Sequence, residues 1–311
     1  MKTVLITGGT GMIGRALVSQ LLFRGYKVIV LSRTRHQTVL ENMSYAYWHV
    51  EKQEIDEDAI READYIIHLA GANISEKRWT KDRKANILAS RVDSSTLLYK
   101  TLSKVEHKTK KIISASAIGW YGPDIEKQNS FPFVEQASHF DDFLGNTCYS
   151  WEQAIAPVRN LGICLAILRA GIVLSAEGGV VEAFMKPLKF GFATVMGSGK
   201  QMISWIHIDD LVRLYIEVME NKDYSGIYNA VAPAPVSNRT LVVELAKSIR
   251  GKYYSVLPVP KLFLKLVVGE MSTEVLKSTT VSCSKVEQAG FVFTFPTIQL
   301  AMKEVVRQLR K

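Results

Sequence analysis

Cysteine is scarce. Three residues in a chain of 311, odd in number and without C-x-x-C spacing, exclude a disulfide framework and argue against a zinc or redox pair. Cys148, Cys164 and Cys283 therefore read as free thiols in a reducing, cytoplasmic setting. Long hydrophobic runs are missing too. The opening MKTVLITGGTGMIG has too short an apolar stretch for a signal peptide. The most apolar late segment, Leu262 to Val268, is broken by Lys265 and falls far short of the ~20 residues that span a bilayer. No membrane partner is expected. Low-complexity tracts and internal repeats are absent, and the 20 glycines and 9 prolines are an ordinary share, which excludes a disordered or collagen-like chain. The densest basic run, Lys104 to Lys111, lacks the interleaved aromatics that stack bases. The net charge of +9 is thus assigned to a basic enzyme surface, with no nucleic acid partner.

What is present is a regular alternation. Short apolar runs, Val4 to Thr7, Val28 to Ser32, Tyr45 to Val50, Tyr65 to Ala70, Lys111 to Ser116 and Ile163 to Arg169, alternate with stretches of helical period. The helical stretches are Met12 to Arg24, Thr80 to Leu102 and Cys148 to Leu161, and Gly25 supplies a stop for the first. This is the pattern of βαβ units, and it predicts an α/β fold with a doubly wound parallel sheet. Beyond Gly171 the glycines and prolines crowd, as in a pocket-building region. Asp209 or Asp210 is expected to cap a helix through Val212 to Met219.

Gly8-Gly9-Thr10-Gly11-Met12-Ile13-Gly14 follows the first strand directly and opens the first helix. Glycines there allow a tight turn and let the backbone approach a pyrophosphate, whose charge rests on free N–H groups at the positive end of the helix. The G-x-x-G-x-x-G spacing differs from the dehydrogenase form G-x-G-x-x-G, but its placement marks a dinucleotide site. About 20 positions on, where an acidic residue would hydrogen-bond the ribose of NAD, stand Ser32 and Arg33. An arginine fork grips a 2′-phosphate that a carboxylate would repel, so NADP is expected as the cofactor, with Arg35 a second candidate. The expected organisation is a Rossmann-type NADP-binding domain over 1–170, to which some later segments return. Substrate-side segments are expected over 171–235 and a small C-terminal domain over 236–311, in a smaller C-terminal substrate-side lobe.

Further motifs stand beyond the loop. Tyr65 to Gly71 reads YIIHLAG, Ile112 to Ala117 is followed by Trp120-Tyr121-Gly122, and Ser204 to Leu211 reads SWIHIDDL. Together with the loop they resemble the extended branch of the short-chain dehydrogenase/reductases, the nucleotide-sugar epimerase-like group, nearly end to end. Lys77-Arg78-Trp79, Ser90-Arg91, Trp151-Glu152, Gly197-Ser198-Gly199 and a tail from Gly269-Glu270 to Phe293 narrow the resemblance. They are similar to an atypical subgroup of epimerase-family proteins with a small C-terminal domain of unknown function. The resemblance implies cofactor contacts from Leu69, Ala70, Gly71 and Ser114, and places the active-site serine on Ser116.

Typical members share acid/base work between a tyrosine and a lysine four residues later, the lysine lowering the phenol pKa from ~10. This sequence lacks that pair. The corresponding helix, Thr147 to Gln153, admits two registers: Cys148 with Glu152, or Tyr149 with Gln153. The first is preferred, because Trp151-Glu152 belongs to the subgroup pattern. Glu152 is then expected to hydrogen-bond the nicotinamide ribose, and Tyr121, near the carboxyl edge of the sheet, is the substitute acid/base candidate beside Ser116. Cys148 has no histidine placed to activate it and reads as a structural thiol. His207 with Asp209 and Asp210 reads as a cap, and no metal is expected. Arg78, Trp79, Arg91, Gln201 and Trp205 are taken as a group for an anionic, ring-bearing substrate. The expected function is an NADP(H)-binding, epimerase-like oxidoreductase for a nucleotide-sugar-like or other small anionic substrate, acting as monomer or homodimer. The competing class is a non-catalytic NADP(H)-binding sensor or scaffold.

Overall fold

The computed structural model of the chain describes residues 1–34, 40–124 and 132–310. The first half runs β1 (Thr3–Thr7), α1 (Met12–Phe23), β2 (Lys27–Ser32), β3 (Met43–His49), β4 (Glu54–Ile55), α2 (Glu57–Glu62), β5 (Tyr65–His68), α3 (Lys81–Leu102), β6 (Lys111–Ala117), α4 (Phe143–Ile155) and β7 (Cys164–Ala170). Beyond it come β8 (Ile172–Ser175), β9 (Gly178–Gly179), α5 (Val180–Leu188), β10 (Phe192–Met196), β11 (Met202–Ile203), β12 (Trp205–His207), α6 (Ile208–Glu220) and β13 (Gly226–Ala230). The chain closes with β14 (Val236–Ser237), α7 (Asn238–Arg250), β15 (Ser255–Val259), α8 (Lys261–Val268), α9 (Ser272–Leu276), α10 (Ser284–Gln288) and α11 (Ile298–Leu309).

The main sheet has the order β13-β7-β6-β5-β1-β2-β3-β4, and every pairing in it is parallel except β3 with β4. Strands buried on both faces explain why β1 and β5 are continuous apolar runs. Val4 and Ile6 of β1 face one layer with Leu17 and Leu21 of α1 and Leu214 of α6, while Leu5 faces the other with Leu98 of α3. A doubly wound α/β sheet, as expected, is the result. The chain reverses direction across it between β1 and β5, which opens a crevice at their carboxyl ends. The second half adds a third apolar cluster, in which Leu174, Phe184 and Trp205 pack with Leu241 and Leu245 of α7 and Met302 and Val305 of α11. Residues on both sides of position 235 share it.

Two boundaries differ from expectation for identifiable reasons. The helix expected from Cys148 begins at Phe143, because the Asp142 carboxylate accepts the Gly145 N–H (2.7 Å) and caps it there. The cap of α6 is neither Asp209 nor Asp210 but His207, whose Nδ1 accepts the Asp209 N–H (3.2 Å). Asp210 instead accepts the N–H groups of Thr294 and Phe295, both at 2.8 Å, and so ties α6 to the C-terminal segment. Among the described residues no helix is long and apolar enough to cross a membrane.

Thr7 and His68 clamp the two central strands. The Thr7 hydroxyl oxygen accepts the N–H groups of Leu69 (3.0 Å) and Ala70 (3.1 Å) and donates its proton to His68 Nδ1 (2.8 Å). The network therefore assigns the Nε2–H tautomer, which donates to Ser95 Oγ on α3 (3.0 Å). Burial pushes the His68 pKa from 6.5 down to about 4. As pH falls below 6.5 the unfolded chain takes up this proton first, so the contribution is complete above pH 6.5 and is lost on the way to pH 4. The loss amounts to about 3 kcal/mol. Urea unfolding at about pH 7 and about pH 4.5 is expected to show the wild type losing more stability over that interval than His68→Gln. Equal losses would contradict a buried neutral imidazole.

Candidate cofactor and active site

The glycine turn occupies the crevice between β1 and β5. Gly8, at φ +69°, lies so close to the opposite wall that a Cβ there would meet the Leu69 carbonyl at 3.0 Å and the Ala70 nitrogen at 3.2 Å. A Cβ on Gly14 would fall 2.3 Å from the Gly8 oxygen, and one on Gly9 would fall 2.7 Å from Val30 of β2. No side chain caps α1 at Gly11, and no acidic residue stands in its first turn. The positive end of the helix is therefore left open to a ligand. Close backbone, free donors and a first turn without a carboxylate fit a pyrophosphate.

The other expected cofactor residues surround this turn. Thr10 is exposed, its carbonyl accepting from Arg15 (3.0 Å), and Ile13 is half-buried. The Met12 thioether would lie 3.8 Å from a Cβ on Gly179, so the loop after β8 closes over the start of α1. Ser32 is buried at the end of β2, and Arg33 is exposed just beyond it. Arg35 lies outside the described residues. Gly71 continues the far wall, exposed above the Arg91 guanidinium. Ser114 is buried on β6 and turns its hydroxyl to the Ala115 carbonyl (3.2 Å).

A charged network lies at the carboxyl ends of β6, β7 and β13. The sheet register places Ser116, Arg169 and Asn229 side by side on these three strands. Across them α4 lays Glu152, whose Oε1 accepts from Ser116 Oγ (2.7 Å) and Arg169 Nε (2.8 Å), while Oε2 accepts from Arg169 Nη2 (2.9 Å). This is a bidentate ion pair with both residues at most 4% exposed. Arg169 Nη1 also donates to the Tyr121 hydroxyl (3.1 Å) and the Glu135 carbonyl (3.2 Å), and the guanidinium carbon sits 3.6 Å from the Trp120 ring centroid. Tyr121 donates to Asn229 Oδ1 (2.7 Å), and Glu135 Oε1 accepts the Asn229 N–H (2.9 Å).

This arrangement changes what two candidate residues can do. Glu152 was expected at the nicotinamide ribose; its oxygens are turned to Arg169 and Ser116 instead, because the guanidinium on β7 offers two parallel donors at that point. Tyr121 was expected as acid/base. It has no exposed surface, its proton is committed to Asn229, and burial pushes its pKa up to about 12. On α4, Cys148 and Glu152 are buried whereas Tyr149 is 42% exposed and stacks on His139. The Cys148 thiol donates to the Ala117 carbonyl (3.6 Å), and burial together with the Glu152 charge pushes its pKa up to about 11. It is a neutral thiol.

Arg169, Glu135 and Asn229 went unmarked in the sequence. Arg169 carried a signal: an arginine near the end of an otherwise apolar buried strand must have a partner. The five grouped residues are held by different partners. Trp205 is fully buried, with its indole N–H on the Ala234 carbonyl (2.9 Å), while Trp79 belongs to a separate cluster with Ile87 and Leu144. Gln201 donates to the carbonyls of Met196 (3.0 Å) and Val275 (3.3 Å). Arg78 lies against Gly269, and Arg91 donates to the carbonyls of Ala72 (3.1 Å) and Ile87 (2.9 Å).

The pattern of the NAD dependent epimerase/dehydratase family matches residues 4–230. The chain belongs to this family. A domain of unknown function, DUF1731, matches residues 259–305 of this epimerase-family chain. Epimerase family protein SSP1921 of Staphylococcus saprophyticus is 34% identical over 311 residues, covering 98% of the chain and 100% of that protein. Epimerase family protein SAR0825 of Staphylococcus aureus is 32% identical, covering 98% and 99%. The structure is similar to that of human epimerase family protein SDR39U1 (isoform 2) with NADPH, at a TM-score of 0.84, 25% identity and coverage of 99% and 100%. It is also similar to the nucleoside-diphosphate sugar epimerase of Corynebacterium glutamicum, at a TM-score of 0.76 and 30% identity, covering 98% of this chain and 58% of that one. The resemblance to extended short-chain dehydrogenase/reductases is borne out.

Breaking a buried pair leaves one charge uncompensated. Arg169→Met is therefore expected to cost about 3–5 kcal/mol, and the double variant Arg169→Met/Glu152→Leu to recover most of it, as read by urea unfolding. Additive losses would show that the two charges do not depend on each other.

Proposed function

We propose that the chain is an NADP(H)-dependent, epimerase-like oxidoreductase acting on a nucleotide-sugar-like or other small anionic substrate. The observation that carries this reading is the start of α1, uncapped by a side chain and without an acidic residue in its first turn, directly after the Gly8 turn against the Leu69–Ala70 wall and with Arg33 just beyond β2. Bound there, the dinucleotide supplies hydride transfer. Gly8 to Gly14 would hold its pyrophosphate, Ser32 and Arg33 the adenosine ribose and its 2′-phosphate, and Leu69 to Gly71 with Ser114 the remaining wall. Human SDR39U1 with NADPH supports the phosphate preference, and the Corynebacterium glutamicum nucleoside-diphosphate sugar epimerase supports the substrate class.

The proton route runs through Ser116 in this reading. Its hydroxyl donates to Glu152, which leaves the oxygen lone pairs to accept a substrate hydroxyl. As that hydroxyl gives up its proton to Ser116 Oγ, the serine proton passes to Glu152 Oε1. Arg169 holds the carboxylate in place, and Tyr121 with Asn229 holds Arg169, so Tyr121 is a positioning residue. The same ion pair favours a second reading. Both oxygens of Glu152 are already engaged by Arg169, and a chain without the tyrosine and lysine can bind NADP(H) as a sensor or scaffold without turning over substrate.

A panel of nucleotide sugars with stoichiometric NADP⁺, followed by absorbance and product analysis, separates the two. Turnover that falls about a hundredfold in Ser116→Ala with NADPH binding unchanged is the result expected of the enzyme. NADPH binding with no turnover across the panel would favour the sensor. Full turnover in Ser116→Ala would remove the serine from the route.

A further inference from the structure

The apolar late segment, Leu262 to Val268, does not enter the core. It forms most of α8, in which Leu264 is the one buried residue and Leu262, Phe263, Leu266 and Val267 are 52–72% exposed. At 3.6 residues per turn these four share one face of the helix, with Lys265 on its flank and Lys261 a turn before. The strand before α8 continues the pattern. Strands β10 and β15 pair in parallel and bury Ala193 and Val195, and alternation leaves Phe192 and Leu257 exposed on the opposite side. At the start of this pair, where the Ser255 N–H meets the Gly191 carbonyl, Phe190 is 81% and Tyr253 85% exposed.

Charge in these two stretches has one sign. Neither the stretch 183–208 nor the stretch 245–269 contains an aspartate or glutamate, while Lys189, Lys252, Lys261 and Lys265 are all exposed. The next carboxylate along the chain, Glu270, is turned to Lys84 (2.8 Å). Clustered exposed apolar side chains of this size mark an interaction surface. A helix presenting Leu, Phe and Val beside lysines matches the interface of an anionic bilayer, where apolar groups enter the acyl boundary and lysines reach the headgroups.

We propose that α8, with the exposed edge of the β10–β15 pair, docks on an anionic lipid surface. The helix lies in the interface and does not span it, so the missing spanning segment, which led to the expectation of no membrane partner, does not bear on this contact. A second copy of the chain fits less well. A two-fold contact through this face would set the lysines of both copies against each other.

Sedimentation of the full chain with vesicles of phosphatidylcholine, with and without phosphatidylglycerol, tests the proposal. The wild type is expected to pellet with the anionic vesicles, and to bind neutral ones at least about tenfold more weakly. Leu262→Glu/Leu266→Glu is expected to weaken anionic-vesicle binding by about tenfold or more at an unchanged thermal midpoint. Lys261→Gln/Lys265→Gln is expected to weaken it in low salt. No vesicle binding by the wild type, or equal binding by the glutamate variant, would overturn the proposal. So would a dimer that the glutamate variant dissociates while the wild type ignores lipid, which assigns the face to a second copy.

Discussion

The carbonyl of Gly8 stands where a side chain at position 14 would begin, 2.3 Å from that missing Cβ. The rest of the candidate site depends on this contact. With no Cβ at either residue, α1 can start directly under the end of β1, and its unpaired N–H groups open into the gap between β1 and β5. Thr7, the last residue of β1, holds the far wall of the gap by accepting the N–H groups of Leu69 and Ala70. Both walls of the crevice are thus fixed by the backbone and one buried hydroxyl, and a ligand entering it meets donors already in place. Little reorganisation remains to be done on binding.

The second constraint is the neutralised charge at the other end of the crevice. In the register preferred from the sequence, Glu152 stands where the family resemblance would place a lysine. A buried carboxylate with no partner would be prohibitive, and the register of β7 supplies Arg169 beside Ser116 to neutralise it. Tyr121, Glu135 and Asn229 then serve the guanidinium, linking the segment after β6 to β13 and, through Asn229 and the Ser282 carbonyl (3.1 Å), to the C-terminal region. The network is thus a structural hub as well as a candidate proton route.

The βαβ pattern and the glycine turn were legible in the sequence because both follow from local rules: strands buried on both faces are unbroken apolar runs, and glycines mark close backbone approach. Helical spacing pairs Cys148 with Glu152 and equally Tyr149 with Gln153, so the preference for the first pair, the buried one on α4, came from the Trp151-Glu152 resemblance and not from spacing. Roles were harder to read. That Tyr121 would be sealed from solvent, and that Glu152 would pair with Arg169, depends on strand register between residues far apart in sequence. Packing between distant segments is the hardest to read, as in the cluster that α7 and α11 share with Leu174 and Trp205 across position 235. The reading of Leu262 to Val268 as too short to cross a membrane holds, but length does not decide whether a helix rests on one.

The crevice is proposed to take a phosphorylated nicotinamide dinucleotide, with Arg33 choosing it. Calorimetric titration of the cofactor-stripped chain with NADPH and, separately, with NADH tests this most directly. Binding of NADPH about tenfold or more tighter than NADH, with the difference removed in Arg33→Ser, is the result the account requires. Binding of neither dinucleotide, or a preference for NADH, would contradict it.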